Sequence, residues 1–159
     1  MKLRLLAVGH RQPNWVNGAV ADYAKRLPRT LGFELVELPP ARARSLTRDQ
    51  IRDDEAGRIR ERLKRWGAGQ QRCIALDERG ASKTTAQIAE SLTQWQREGD
   101  PVAMIIGGAG GLAPDLLQRA DEQWSLSALT LPHGLARVVI VEQLYRAWTL
   151  TQNHPYHRE

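Results

Sequence analysis

The sequence is poor in the materials from which several kinds of site are built. It has a single cysteine, Cys73, so no internal disulfide can form and a thiolate metal site or redox pair lacks a second ligand. Cys73 lies in an apolar run and reads as core filling. No stretch of about 18 apolar residues is present to cross a membrane. The opening segment, Met1 to Leu6, carries Lys2 and Arg4 within its apolar run, which does not suit a signal peptide, and a cytoplasmic protein without membrane contact is expected. Internal repeats and low-complexity linkers are also missing, and 159 residues supply one domain's worth of core. Acidic side chains are in deficit, 18 against 23 basic ones, giving a formal charge of +5. Nineteen of the basic residues are arginine, whose planar fork of donors suits phosphate, so an anionic partner such as RNA is in view.

The hydrophobic pattern alternates between short apolar runs and helical stripes. Leu3 to Val8 reads as a strand, followed by a loop and a helix marked by Trp15, Val16, Ala19, Val20, Tyr23 and Leu27 before Pro28. Phe33 to Leu38 reads as a second strand, stopped by Pro39 and Pro40 and followed by a loop with Arg42 and Arg44. Thr47 with Gln50 has capping-box spacing at the head of a strongly charged helix with the narrow stripe Ile51, Ile59, Leu63 and Trp66. Cys73 to Leu76 is a third strand. Thr84 with Gln87 opens a third helix with Ile88, Leu92 and Trp95 inward, and Val102 to Ile106 is a fourth strand. This alternation implies an α/β fold with a mainly parallel sheet covered by helices on both faces. Ligands of such sheets bind at the carboxyl ends of the strands.

Directly after the fourth strand comes Gly107-Gly108-Ala109-Gly110-Gly111, where backbone must approach something closely or take positive φ. Gly108, Gly110 and Ala113 satisfy a dinucleotide-type spacing, but the loop follows a late strand, and no acid ends a strand about 20 residues further on, so a nicotinamide-dependent oxidoreductase is disfavoured. Lacking Gly-Lys-Ser/Thr, the loop is not a phosphate-binding P-loop of the Walker type either.

From Trp124 the alternation of a strand slips phase at Ser127-Ala128 and resumes in Leu129-Thr130-Leu131 before Pro132, predicting an interrupted strand with backbone groups free for a purine edge. A helix from about Leu135 to Leu150 follows, with Val141, Leu144, Tyr145 and Trp148 on one face and Glu142, Arg146 and Thr149 on the other. Glu142 and Arg146 are expected as an exposed i, i+4 pair.

Ile106-Gly107-Gly108, the run from Trp124 through Pro132 to His133, Val141-Glu142-Gln143-Leu144-Tyr145-Arg146-Ala147 and the closing Pro155-Tyr156-His157 together resemble one family: the ribosomal large-subunit pseudouridine N3-methyltransferase H family of the SPOUT class. The resemblance covers essentially the whole chain and is most specific in its final third. It implies a C-terminal α/β trefoil knot, which no pattern argument would propose. It further implies a homodimer that acts on assembled 70S ribosomes. There it would methylate the N3 of a pseudouridine, position 1915 of the helix 69 loop of 23S rRNA, with S-adenosylmethionine as co-substrate and no metal. Carried over residue by residue, the donor pocket would involve Leu76, Gly107, Gly108, Ser127, Ala128, Leu129, Thr130, Leu131 and Pro132, largely through backbone. Candidates for aiding the acceptor are His154, Tyr156, His157 and Arg158 in the tail, with Arg146 on the preceding helix; which group takes the proton stays open. The competing reading is a noncatalytic ribosome- or RNA-binding factor of the same fold. The charged arc Arg58, Arg60, Arg62, Lys64 and Arg65 is either a phosphate footprint or a solvated helix face.

Overall fold

The computed structural model describes residues 1–42, 45–67 and 71–158; Arg44 of the expected arginine loop lies outside them. Strands β1 (Leu3–Val8), β2 (Phe33–Leu38), β3 (Arg72–Ser82), β4 (Val102–Ile106) and β5 (Glu122–Ser125) form one wholly parallel sheet in the order β2-β1-β4-β3-β5. Between and after them run α1 (Asn14–Arg26), α2 (Arg48–Arg65), α3 (Thr85–Glu98), the short α4 (Pro114–Arg119) and α5 (His133–Thr151). The mainly parallel α/β reading therefore holds.

Every residue of β1 is buried, because side chains alternate between two helical layers. Leu3, Leu5 and Ala7 join α1, α3 and α5 in one core, with Trp95 and Trp124 stacked at 5.7 Å between ring centroids. Leu6 and Val8 join Ala56 and Ile59 of α2 and Leu116 and Leu117 of α4 in the other. Both capping boxes form in full: Thr47 and Thr84 each accept from the backbone of Gln50 and Gln87, and those glutamines reach back to the cap amides.

Four local expectations are corrected. β3 continues past Leu76 to Ser82, because residues 77–80 bulge out of the ladder and Ala81 re-pairs with Trp124. Gly80 permits this, since a Cβ there would lie 2.6 Å from the Gln123 carbonyl. The strand after α4 starts at Glu122, ends at Ser125 and does not resume at Leu129-Thr130-Leu131; that run is an irregular connection. Thr149 is fully buried rather than on a polar face, its hydroxyl donating to the Arg146 carbonyl at 2.6 Å. Glu142 and Arg146 do pair, at 2.8 Å, but with side chains only 17% and 24% exposed.

One buried cation ties the C-terminal helix to the strand ends. Arg137 of α5 is 1% exposed; it donates to Glu37 of β2 at 2.6 Å and to the Gly9 carbonyl, just past β1, at 2.6 Å. The carbonyl that β1 leaves unpaired at its end is thereby satisfied from within the fold.

Candidate functional site

Beside the ends of β4 and β5, where β3 bulges after Leu76, lies a cavity of about 610 Å³, a size that suits a small organic molecule. It is lined by the glycine loop, by Leu76, Asp77 and Glu78 from β3, by the connection from Ser125 to Pro132, and by His133 and Ala136 of α5. Arg48, at the start of α2, also lines the cavity and forms no ion pair among the described residues.

The glycine loop is folded tightly on itself. Gly111 donates to the Gly108 carbonyl at 3.0 Å, and a Cβ on Gly107 would lie 2.7 to 2.9 Å from Gly111 and Leu112 backbone atoms. Only glycine fits there. Behind Gly108 is the carboxylate of Glu55, 4% exposed, with one oxygen accepting from Ala41 N–H at 3.3 Å and the other without a partner among the described residues. Burial pushes the Glu55 carboxyl above the usual range, against the opposing pull of the Ala41 amide and Arg58.

The connection after β5 is held by short bonds. Ser125 hydroxyl donates to the Ser127 carbonyl at 2.9 Å, Leu129 N–H to the Ser127 hydroxyl at 2.9 Å, and Thr130 hydroxyl to Glu78 at 3.0 Å. Of the backbone groups expected to be free for a ligand, the Leu129 amide is thus already engaged. Asp77 and Glu78 give one wall an acidic character. Against the burial that would raise it, hydrogen bonds and charge from Arg79 hold the Asp77 carboxyl below the usual carboxylate range.

The residues assigned to a donor pocket by resemblance are brought together here: Leu76, Gly107, Gly108, Ser127, Leu129, Thr130, Leu131 and Pro132 all line the cavity, while Ala128 does not. The tail candidates gather elsewhere. Tyr156 packs on Tyr145 at 4.7 Å, its hydroxyl donates to Glu142 at 3.0 Å, and the Arg146 guanidinium lies 4.9 Å over its ring. Burial, reinforced by Tyr23 and Glu142, holds the Tyr156 phenol well above its ordinary value. His154 Nδ1 accepts from Tyr156 N–H at 3.1 Å, His157 is half-buried with its Nδ1 unpartnered among the described residues, and Arg158 is exposed. No group of three His, Cys, Asp or Glu side chains converges among the described residues. Arg146 sits 13 positions beyond His133, about 20 Å along α5 at 1.5 Å per residue. Within one chain, then, the tail cluster and the cavity occupy opposite ends of one helix.

The arc on α2 is largely self-neutralised: Arg58 pairs with Asp54, Arg60 with Asp115 and Arg65 with Glu61, while Arg62 and Lys64 form no ion pair among the described residues. Sequence reasoning missed Asp77, Glu78, Glu55 and Arg48 as neighbours of the cavity, and quoted His133 without giving it a role. The signal available for the first pair was their position, immediately after the strand-ending Leu76.

Comparison with known proteins follows the same line. Residues 1–157 match the family model described as "Predicted SPOUT methyltransferase". A protein of Ralstonia nicotianae named ribosomal RNA large subunit methyltransferase H is 53% identical over 159 residues, covering 99% of each chain. One of the same name from Dechloromonas aromatica is 48% identical over 100% of this chain and 99% of its own. Among solved structures, a probable methyltransferase from Bordetella pertussis aligns over 91% of this chain and 95% of its own, with a TM-score of 0.57 and 18% identity. A probable methylase family protein from Haemophilus influenzae aligns over 97% and 69%, with a TM-score of 0.60 and 14% identity. These two likenesses establish the fold.

Proposed function

The chain belongs to the SPOUT methyltransferase family, and from that premise we propose that it methylates large-subunit ribosomal RNA, with S-adenosylmethionine as the donor. The observation that carries the reading is the end-to-end match, at 48 to 53% identity, with relatives of that name, joined to a cavity at the strand ends whose lining includes all but one of the expected donor residues. The finer reading is the N3 of a pseudouridine in the helix 69 loop, modified on the assembled 70S ribosome by a cytoplasmic homodimer with no membrane partner. The match over residues 1–157 supports one domain. The reading includes the trefoil knot of the C-terminal segment; it is supported by β5 lying at the sheet edge while the segment after it returns to set α5 against both α1 and α3.

The cavity fits the donor in three respects. Its volume accommodates a nucleoside with an amino-acid arm, Leu76, Ile106, Leu131 and Ala136 offer apolar contact for a purine, and Asp77 and Glu78 face a molecule that carries positive charge on sulfur and on its amino group. When bound, S-adenosylmethionine supplies a methyl group made electrophilic by its attachment to a cationic sulfur. The chain's own task is positional: the rigid glycine loop and the bonded connection after β5 hold the donor in one orientation, so that the acceptor nitrogen can be aligned at attack distance. The tail group of Arg146, His154, Tyr156, His157 and Arg158 lies too far along α5 to serve the cavity of its own chain. In the homodimer this tail completes the partner's site, where its cationic and N–H donors stabilise charge developing on the flanking carbonyl oxygens.

Two measurements test this. Calorimetric titration with S-adenosylmethionine should show saturable binding that Gly107→Ala weakens at least about tenfold; absence of binding to the wild type leaves the noncatalytic ribosome-binding factor. Mixing Gly107→Ala protomers with Arg158→Ala protomers should restore part of the lost transfer, and no recovery would refute the shared site.

A further inference from the structure

The lining that holds Asp77 and Glu78 also holds a side chain that neither the donor reading nor the tail employs. His133 is the first residue of α5, directly after Pro132, half-buried, and in the cavity lining. Its ring rests against the loop after β1, with Cε1 3.3 Å from where a Gly9 Cβ would stand. Its Nδ1 is buried and has no hydrogen-bond partner among the described residues. The loop it leans on is itself strained: Arg11 holds φ 58 although it is not glycine. Strain beside an unsatisfied polar group marks a place built for something other than stability.

We propose that the imidazole of His133 receives the proton given up by the acceptor nitrogen. The inference rests on the methyltransferase reading and adds the residue that the tail candidates left undecided. The N3–H bond of the uracil-type ring breaks with its electron pair staying on nitrogen, and that pair forms the bond to the methyl carbon. The pair of the broken carbon–sulfur bond leaves with sulfur, and the proton resides on His133 until water removes it. A ring nitrogen can act so only when neutral. Burial, assisted by the positive charge of Arg137 one turn along α5, lowers the His133 pKa below its ordinary value, so the neutral form predominates at physiological pH. The other charged or titratable groups around it are Glu37 of β2, which is occupied by Arg137, His10 of the loop after β1, and Arg48, Asp77 and Glu78 on the other walls of the same cavity.

The test compares wild type with His133→Asn and His133→Gln on assembled ribosomes, with donor affinity measured in parallel. His133→Asn should lower kcat by about a hundredfold, within the range of general-base removal, while donor affinity stays within twofold. Wild-type kcat should rise with pH up to the His133 pKa and then level, and the variants should lose that acid limb. A kcat within twofold of wild type with an unchanged profile would overturn the proposal. Should both variants fail to fold, wild-type protein decides: carbethoxylation by diethylpyrocarbonate, read by mass spectrometry, should modify His133 in the free protein and spare it in the presence of ribosomes and donor. Equal modification in both states would overturn the proposal. Wild type that transfers no methyl group at all would instead refute the functional reading on which this rests.

Discussion

Replacing Gly107 by alanine puts the glycine loop to a graded test. The new Cβ would arrive 2.7 Å from the Gly111 carbonyl carbon, 2.8 Å from its oxygen and 2.9 Å from Leu112 N, all backbone atoms that cannot rotate aside. Ordinary contact requires the facing backbone to retreat by roughly 0.7 Å, and overpacking of this kind costs about 1 to 3 kcal/mol. For a chain of this size that corresponds to a fall in Tm of about 3 to 9 °C. Because the displaced segment lines the cavity, donor affinity should fall at least about tenfold, or 1.4 kcal/mol. Two neighbours serve as internal controls. At Gly110 the nearest atom is the flexible Arg52 Cγ at 3.4 Å, so alanine should change stability by less than about 0.5 kcal/mol. At Gly111 there is open space but φ is +81°, so alanine should cost about 1 to 2 kcal/mol through the left-handed backbone while leaving donor affinity near wild type. Thermal melts and calorimetry on the three variants decide the matter. A Gly107→Ala protein with wild-type Tm and wild-type donor affinity would refute the reasoning.

Arg137→Leu strips Glu37 and the Gly9 carbonyl of their shared donor; with Glu37 37% exposed and able to regain water, the loss should be about 2 to 3 kcal/mol in urea unfolding. Burial first, and the Asp121 charge second, push the Cys73 thiol from 9.0 up to about 11, so its alkylation by iodoacetamide at pH 8 should run about a hundredfold slower than that of an unperturbed thiol. On α2, exchanging Arg62 and Lys64 for glutamine should reduce the slope of log affinity for ribosomal RNA against log salt by roughly 1 to 2, whereas exchanging the paired Arg65 should change it less. An equal change for both would show that the ion pairs within the helix do not set the footprint.

Much of the fold was legible because its signals are local. The β1, β2 and β4 boundaries, the two capping boxes and the inward stripe of α3 follow from apolar runs and hydroxyl-to-glutamine spacing alone. What was illegible depends on partners distant in sequence. The β3 bulge exists because Gly80 lets β5 approach, and β5 stops at Ser125 because the Ser125 and Ser127 hydroxyls take over the backbone's bonds. Thr149 and the Glu142–Arg146 pair looked solvated on a helical wheel, yet Tyr156, 14 positions beyond Glu142, returns to cover that acid. Eight residues of the cavity lining were recognisable in sequence through resemblance to a family, while Ala128, named with them, lies outside that lining. The setting of His133 was not, because its half-burial and unpartnered Nδ1 arise only when α5 folds back against the loop after β1.

The most direct test of the central claim is transfer of labelled methyl from S-adenosylmethionine to assembled ribosomes, isolated subunits and naked large-subunit RNA, followed by mapping of the modified base. The account predicts label on the N3 of one pseudouridine in the helix 69 loop, strongest with assembled ribosomes. Absence of label on all three substrates, with protein that is folded and offered saturating donor, would contradict it.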